Sequence, residues 1–170
     1  GPITTKDGVI INLRANVELP AEFDAVREFG AVGVGLFRSE FLLSKPGLIL
    51  PEDEQYVIYR ELISAAGEDG AIVRLFDIGG ESDRDPYDPP ERNPALGLRA
   101  IRFDLRHKEI MSAQVRAILR AAATGPLSLV VPMVADVGDV RMAKRVIEAE
   151  KEQLRANGIE FSDVKVGAMI

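Results

Sequence analysis

Three arginines stand where charge could gather in this chain. Arg38 closes the apolar run 32–36, Arg74 lies inside the apolar run 72–80, and Arg99 follows the Pro- and Asp-rich stretch 81–93. An unpaired guanidinium in a buried strand is costly, so Arg74 requires a carboxylate partner or an anionic ligand. A guanidinium offers planar donors that can grip a carboxylate or phosphate with two bonds at once. Three such groups converging would suit a small, highly charged anion, with Glu40 and Asp77 holding the arginines in place. A plainer reading stands beside this one. Arg38 could form a strand-end salt bridge with Glu40, Arg74 could pair with Asp77, and Arg99 could be a helix-surface residue like Arg102, Arg106 and Arg116. Each arginine alone is weak support for a site, and their shared placement at strand ends strengthens it.

The elements that must position these residues follow from periodicity. Residues 9–15 alternate as a strand, with Val9, Ile11, Leu13 and Ala15 on one side. Pro20 suits the first turn of a helix over residues 21–29, with Phe23, Val26 and Phe29 facing inward and Gly30 at its C-terminal cap. The second strand covers residues 32–36. A loop marked by Pro46 and Pro51 leads to a helix that begins with the acidic Glu52-Asp53-Glu54 and stops at Gly67. The third strand is the run carrying Arg74. Residues 93–102 form a turn and a short helical piece, and residues 108–123 a long helix. The fourth strand, residues 128–133, is apolar enough to be buried on both faces. Asp136 caps the longest helix, which reaches residue 157, and a fifth strand covers residues 165–170. Alternating β and α elements imply a parallel sheet covered by helices. An open doubly wound sheet and part of a (β/α)₈ barrel both fit. No G-x-G-x-x-G turn follows the first strand, and Gly33-Val34-Gly35 lies inside the second, which weakens the dinucleotide-binding version. A complete barrel needs about 250 residues, so the chain would supply about the first five strands.

Composition narrows the partners. The chain has 170 residues, 46% of them hydrophobic, and a net charge of −6. That acidic balance argues against nucleic acid or an anionic membrane as a general partner. There is no Cys, which removes disulfides, thiolate nucleophiles and zinc–cysteine sites within this chain. The single His, His107, sits in a polar helix start and reads as a surface residue. No apolar run approaches membrane-spanning length and no signal peptide is visible, so a soluble cytoplasmic protein is expected. Residues 1–6 read as a linker or an expression remnant.

Three stretches also carry a resemblance. Gly33-Val34-Gly35-Leu36-Phe37-Arg38-Ser39-Glu40-Phe41, Val73-Arg74-Leu75-Phe76-Asp77-Ile78-Gly79-Gly80 and Asn93-Pro94-Ala95-Leu96-Gly97-Leu98-Arg99-Ala100-Ile101-Arg102 look like successive signatures of the phosphoenolpyruvate (PEP)-utilising enzymes. Gln114-Val115-Arg116-Ala117-Ile118-Leu119-Arg120-Ala121 and Val131-Pro132-Met133 fit the same family. Within it the chain most resembles the enzyme I branch, the PEP–protein phosphotransferases of the bacterial phosphotransferase system. The resemblance runs from about residue 7 onward, with the motifs in the family's order.

The resemblance implies that residues 1–170 form the N-terminal portion of a PEP-binding (β/α)₈ domain. It implies that Arg38 and Arg74 bind PEP, with Arg99 beside them and Glu40 and Asp77 in support. The family reaction moves the phosphoryl group to a histidine on a separate domain, then to a histidine-containing phosphocarrier protein, leaving pyruvate. It uses Mg2+. By the resemblance the metal ligands lie beyond Ile170, with the proton-donating cysteine, and the phosphoacceptor histidine lies upstream; His107 does not match it. No catalytic or metal-binding residue is therefore expected in this chain, and the isolated chain is expected to be inactive. Ser39 stands where many members have Thr, and Glu81-Ser82 where many have Asp-Lys, which puts any role of that Lys in doubt. Two other readings are a segment of a pyruvate phosphate dikinase or PEP synthase, and a non-catalytic dimerisation module. A homodimer is expected in either case, because the first and fifth strands of a five-stranded piece present open edges.

Overall fold

A computed structural model of the chain describes residues 3–45, 48–77 and 108–170. The expected pieces at 81–93 and 93–102, with Arg99 and His107, lie outside the described residues. The first two short strands, β1 (Ile3–Thr4) and β2 (Ile10–Ile11), form an antiparallel pair and, among the described residues, pair with no other strand. Then come β3 (Arg14–Val17), α1 (Phe23–Glu28), β4 (Gly33–Arg38), the hairpin β5 (Leu43–Lys45) and β6 (Leu48–Ile49), α2 (Glu52–Ala66) and β7 (Ala71–Arg74). The last elements are α3 (Lys108–Ala122), β8 (Leu127–Val131), α4 (Val137–Ala156) and β9 (Lys165–Ala168).

The main sheet has five strands in the order β3-β4-β7-β8-β9, every neighbouring pair parallel. Each strand thus lies beside the one before it in the chain. A doubly wound sheet reverses direction at a switch point, and none occurs among the described strands. Successive helices also pack on one another, α1 on α2, α2 on α3 and α3 on α4. One helix layer therefore covers one sheet face, as in part of a (β/α) barrel.

The core lies between that layer and the sheet. Phe37 of β4 meets Phe23 of α1 and Tyr59 of α2 edge-on, with ring centroids 5.7 Å and 6.2 Å away. Ala71 and Val73 of β7, and Leu127, Leu129 and Val131 of β8, are buried, whereas Ile72, Arg74, Ser128 and Val130 are half-buried. This period of two corrects the expectation that the fourth strand is buried on both faces. Its apolar residues on the second face are only partly covered.

Helix ends follow local chemistry. Asp136 caps α4 by accepting from the Gly138 and Asp139 backbone N–H groups, as expected. Gly30 and Gly67 end their helices at positive φ, 78° and 66°, the backbone region that glycine enters without penalty. Three local expectations fail. The alternation over residues 9–15 divides into β2 and β3, and only the second joins the main sheet. Phe29 is 83% exposed, because α1 ends at Glu28 and its inward turn is complete with Phe23 and Val26. The Pro-flanked loop before α2 contains a hairpin.

Candidate functional site

Arg38 ends β4 and Arg74 ends β7, and the two are partners in the register of that parallel pair. Side chains of register partners project from the same face. Val73 is buried on the helix side, so its neighbour Arg74 stands on the other face, with Arg38 beside it. Two guanidinium groups thus share the C-terminal edge of the sheet, on the face away from the helices.

Glu40 pairs across the strands and not with Arg38 beside it. Arg74 donates from Nε and Nη2 to Glu40 Oε1 at 3.0 Å and 2.6 Å. Arg38 reaches Glu18 Oε2 from Nη1 at 3.4 Å. A short 3-10 turn, Ser39–Leu42, begins directly after Arg38. It carries Glu40 across to the neighbouring strand instead of back along its own. Glu18, just past β3, is a site neighbour that sequence reasoning missed; its place one strand over is legible only once the sheet order is known. Asp77 is half-buried three residues beyond Arg74. A guanidinium has five N–H donors, and Glu40 uses two of those on Arg74. The side chain of Arg74 is 14% exposed and that of Arg38 is 45% exposed. One arginine is therefore held firmly and the other loosely.

Buried polar side chains lie behind the arginines. Ser39 Oγ donates to the Arg74 carbonyl oxygen at 2.6 Å. Gln114 of α3 donates from Nε2 to Ser39 Oγ at 2.9 Å and to the Tyr59 hydroxyl at 3.1 Å. Its Oε1 accepts from the Phe76 backbone N–H at 3.0 Å. Tyr59 donates to Gln55 Oε1 at 3.5 Å, and Gln55 Nε2 donates to the Leu50 carbonyl oxygen at 2.7 Å. Ser39, Gln55, Tyr59 and Gln114 are all fully buried. Burial pushes the Tyr59 phenol above its ordinary pKa, the Gln114 hydrogen bond opposes this, and the Glu40 charge adds to the rise.

Two other features bear on the site. Met133, just past β8 at the same end of the sheet, has φ 52° and is 40% exposed. A long side chain in the left-handed region is a costly choice that clusters at functional positions. Arg116 is not the surface residue expected. It binds Glu52 at 2.6 Å and Glu150 at 2.7 Å, joining α2, α3 and α4. Among the described residues no three His, Cys, Asp or Glu side chains converge as a metal site, and no helix is long and apolar enough to cross a membrane.

The sheet is a single-wound parallel one with two register-paired arginines at its C-terminal edge. A family model described as "PEP-utilising enzyme, PEP-binding domain" matches residues 1–170, and the chain belongs to that family. The phosphoenolpyruvate-protein phosphotransferase of Staphylococcus aureus is 40% identical over 168 residues, 98% of this chain and 29% of that protein. That of Haemophilus influenzae is 39% identical over 171 residues, 99% of this chain and 30% of that protein. The Staphylococcus carnosus protein of the same name is 39% identical over 168 residues. The chain thus spans under a third of the length of these relatives.

Proposed function

We propose that the chain is the first portion of the PEP-binding (β/α)₈ domain of a PEP–protein phosphotransferase, and that Arg38 and Arg74 grip the anion. The observation that carries this reading is the register pairing of Arg38 with Arg74 at the C-terminal edge of the sheet, in a chain matched throughout to a PEP-binding domain. PEP carries its phosphate ester and its carboxylate on one carbon, so two neighbouring guanidinium groups complement it. We further propose Arg99 as a third positive group by the PEP site and Asp77 in a supporting role, as the family resemblance implies. Glu40 orients Arg74 by holding two of its donors, which reduces the conformational freedom lost when ligand binds.

In the complete enzyme the phosphoryl group passes from PEP to a histidine and then to a phosphocarrier protein. Fixed positive charge around the transferring group is the main protein contribution to such chemistry. Mg2+ would supply further positive charge there. No donor set among the described residues fits it. The complete enzyme would act in the cytoplasm as a homodimer.

Calorimetric titration of PEP into the chain tests this reading. Saturable binding is expected, weakened about tenfold or more by Arg74→Lys, since a point ammonium cannot reproduce a held fork. Arg38→Ala weakens it by a similar factor. Equal affinity in parent and both variants would contradict the assignment.

A further inference from the structure

The strongest unassigned feature is the buried side chain of Gln114. It is fully buried on α3 and faces the ends of both strands that carry the arginines. The Phe76 N–H can only donate, so the Gln114 atom opposite it is the amide oxygen. The amide nitrogen must then face Ser39 and Tyr59, and both of its N–H groups are used. Ser39 Oγ, receiving one of them, directs its own proton to the Arg74 carbonyl oxygen. The Ser39 hydroxyl thereby ties the residue after Arg38 to the backbone of Arg74, and the Gln114 amide orients that hydroxyl and ties it, two residues on, to the backbone of Phe76. Parallel strands joined only by ladder bonds can shift at their ends, and the β4–β7 ladder is irregular between Val34 and Phe37. A directional tie at the C-terminal ends sets the spacing of the two arginines.

We infer that Gln114 is a positioning residue for the anion site: through Ser39 and Phe76 it fixes the separation of Arg38 and Arg74. It touches no ligand itself. The inference rests on the reading that these two arginines bind PEP, and it adds a buried third element, α3, to the site. A general packing role would affect stability alone; a positioning role must affect affinity beyond any loss of stability.

The test uses the full chain and four variants. Gln114→Met keeps the volume and removes every polar contact of the amide. Ser39→Ala removes the bond to the Arg74 carbonyl oxygen and the acceptor for one Gln114 N–H, and Ser39→Thr keeps the hydroxyl. Val146→Ala opens the core on α4, away from the site, and measures the effect of lost stability alone. PEP affinity is expected to fall about tenfold in Gln114→Met and Ser39→Ala, and to stay within about twofold of the parent in Ser39→Thr and Val146→Ala. The inference is overturned if the first two remain within about twofold of the parent, or if Val146→Ala loses as much as they do. If the parent does not titrate with PEP at all, the functional reading fails, and the Arg74 Nε–Hε resonance decides the positioning claim separately. Displacement of that resonance in both Gln114→Met and Ser39→Ala, but not in Val146→Ala, supports it. An unmoved resonance in those two variants overturns it.

Discussion

Arg74 and Glu40 are thirty-four residues apart, yet they form the tighter ion pair of the site, whereas Arg38 meets the exposed Glu18 at the limit of contact. An exposed pair contributes at most about 1 kcal/mol, so Glu18→Gln should leave stability almost unchanged, and Glu40→Gln should cost more. Urea unfolding of the two variants measures that difference. Tyr59 gives a pH-dependent prediction. Its folded-state pKa is raised, so its contribution is fully present below the ordinary phenol value, about 10, and is lost as pH climbs from there through the raised value. Tyr59→Phe lacks this titration. It should be about 1 kcal/mol less stable than the parent near pH 8, from the unpaired Gln114 and Gln55 groups, and the gap should narrow near pH 11. A gap that widens at alkaline pH would contradict this account. At this scale the sequence marked Arg38 and Arg74 as unusual, because charge at apolar strand ends is visible without a fold. Glu40 was legible as a residue that holds an arginine, whereas Glu18 and Gln114 were not, since they reach the site from other elements.

Between elements, two contacts carry the helix layer and the sheet's far end. Glu52, in the first turn of α2, binds Arg116 through Oε2 and Arg120 through Oε1, both at 2.6 Å. Arg120 also lies over the Tyr56 ring, 4.6 Å from its centroid. Glu52→Gln keeps the shape and removes the charge that both arginines share. The partial exposure of the cluster limits the loss to about 1–2 kcal/mol, which a shift of the urea midpoint would report. Gly70, before β7, has φ 73°, and a Cβ there would meet the Pro126 carbonyl oxygen at 2.4 Å. Gly70→Ala combines left-handed backbone with a clash against backbone, so a loss of about 3 kcal/mol or more is expected, read as a fall in melting temperature. Strong periodicity and capping signals made the helices legible, as at Asp136 and Gly67. The stretch 9–15 misled because its alternation persists across two strands with different partners. Alternation marks extended backbone but not which sheet it joins. Arg116 misled because a charged residue on a helix looks alike whether it faces water or a neighbouring helix.

Across the whole molecule, strand order was legible from the alternation of β and α elements, and the sequential order of the sheet decides between a doubly wound sheet and part of a barrel. The fate of the sheet edges was not legible. Among the described residues β3 and β9 each have a strand neighbour on one side only. Beside β3 a groove of about 370 Å³ is lined by Leu13, Ala15 and Phe29, among others. Open parallel edges flanked by exposed apolar side chains favour association. Sedimentation should therefore show mass rising with concentration, and a stable monomer at high concentration would contradict this. A coupled pyruvate assay with phosphocarrier protein and Mg2+ should show no turnover by the chain alone, because the two arginines supply charge but no phosphoacceptor. We propose, more narrowly, that Arg38 and Arg74 act together on one anion. It is tested most directly by following arginine Nε–Hε resonances of the chain during titration with PEP. The resonances of Arg38 and Arg74 should move along saturating curves with one dissociation constant, while those of Arg116 and Arg120, already held by Glu52, stay in place. Unmoved Arg38 and Arg74 resonances, or equal displacement of all four arginines, would contradict it.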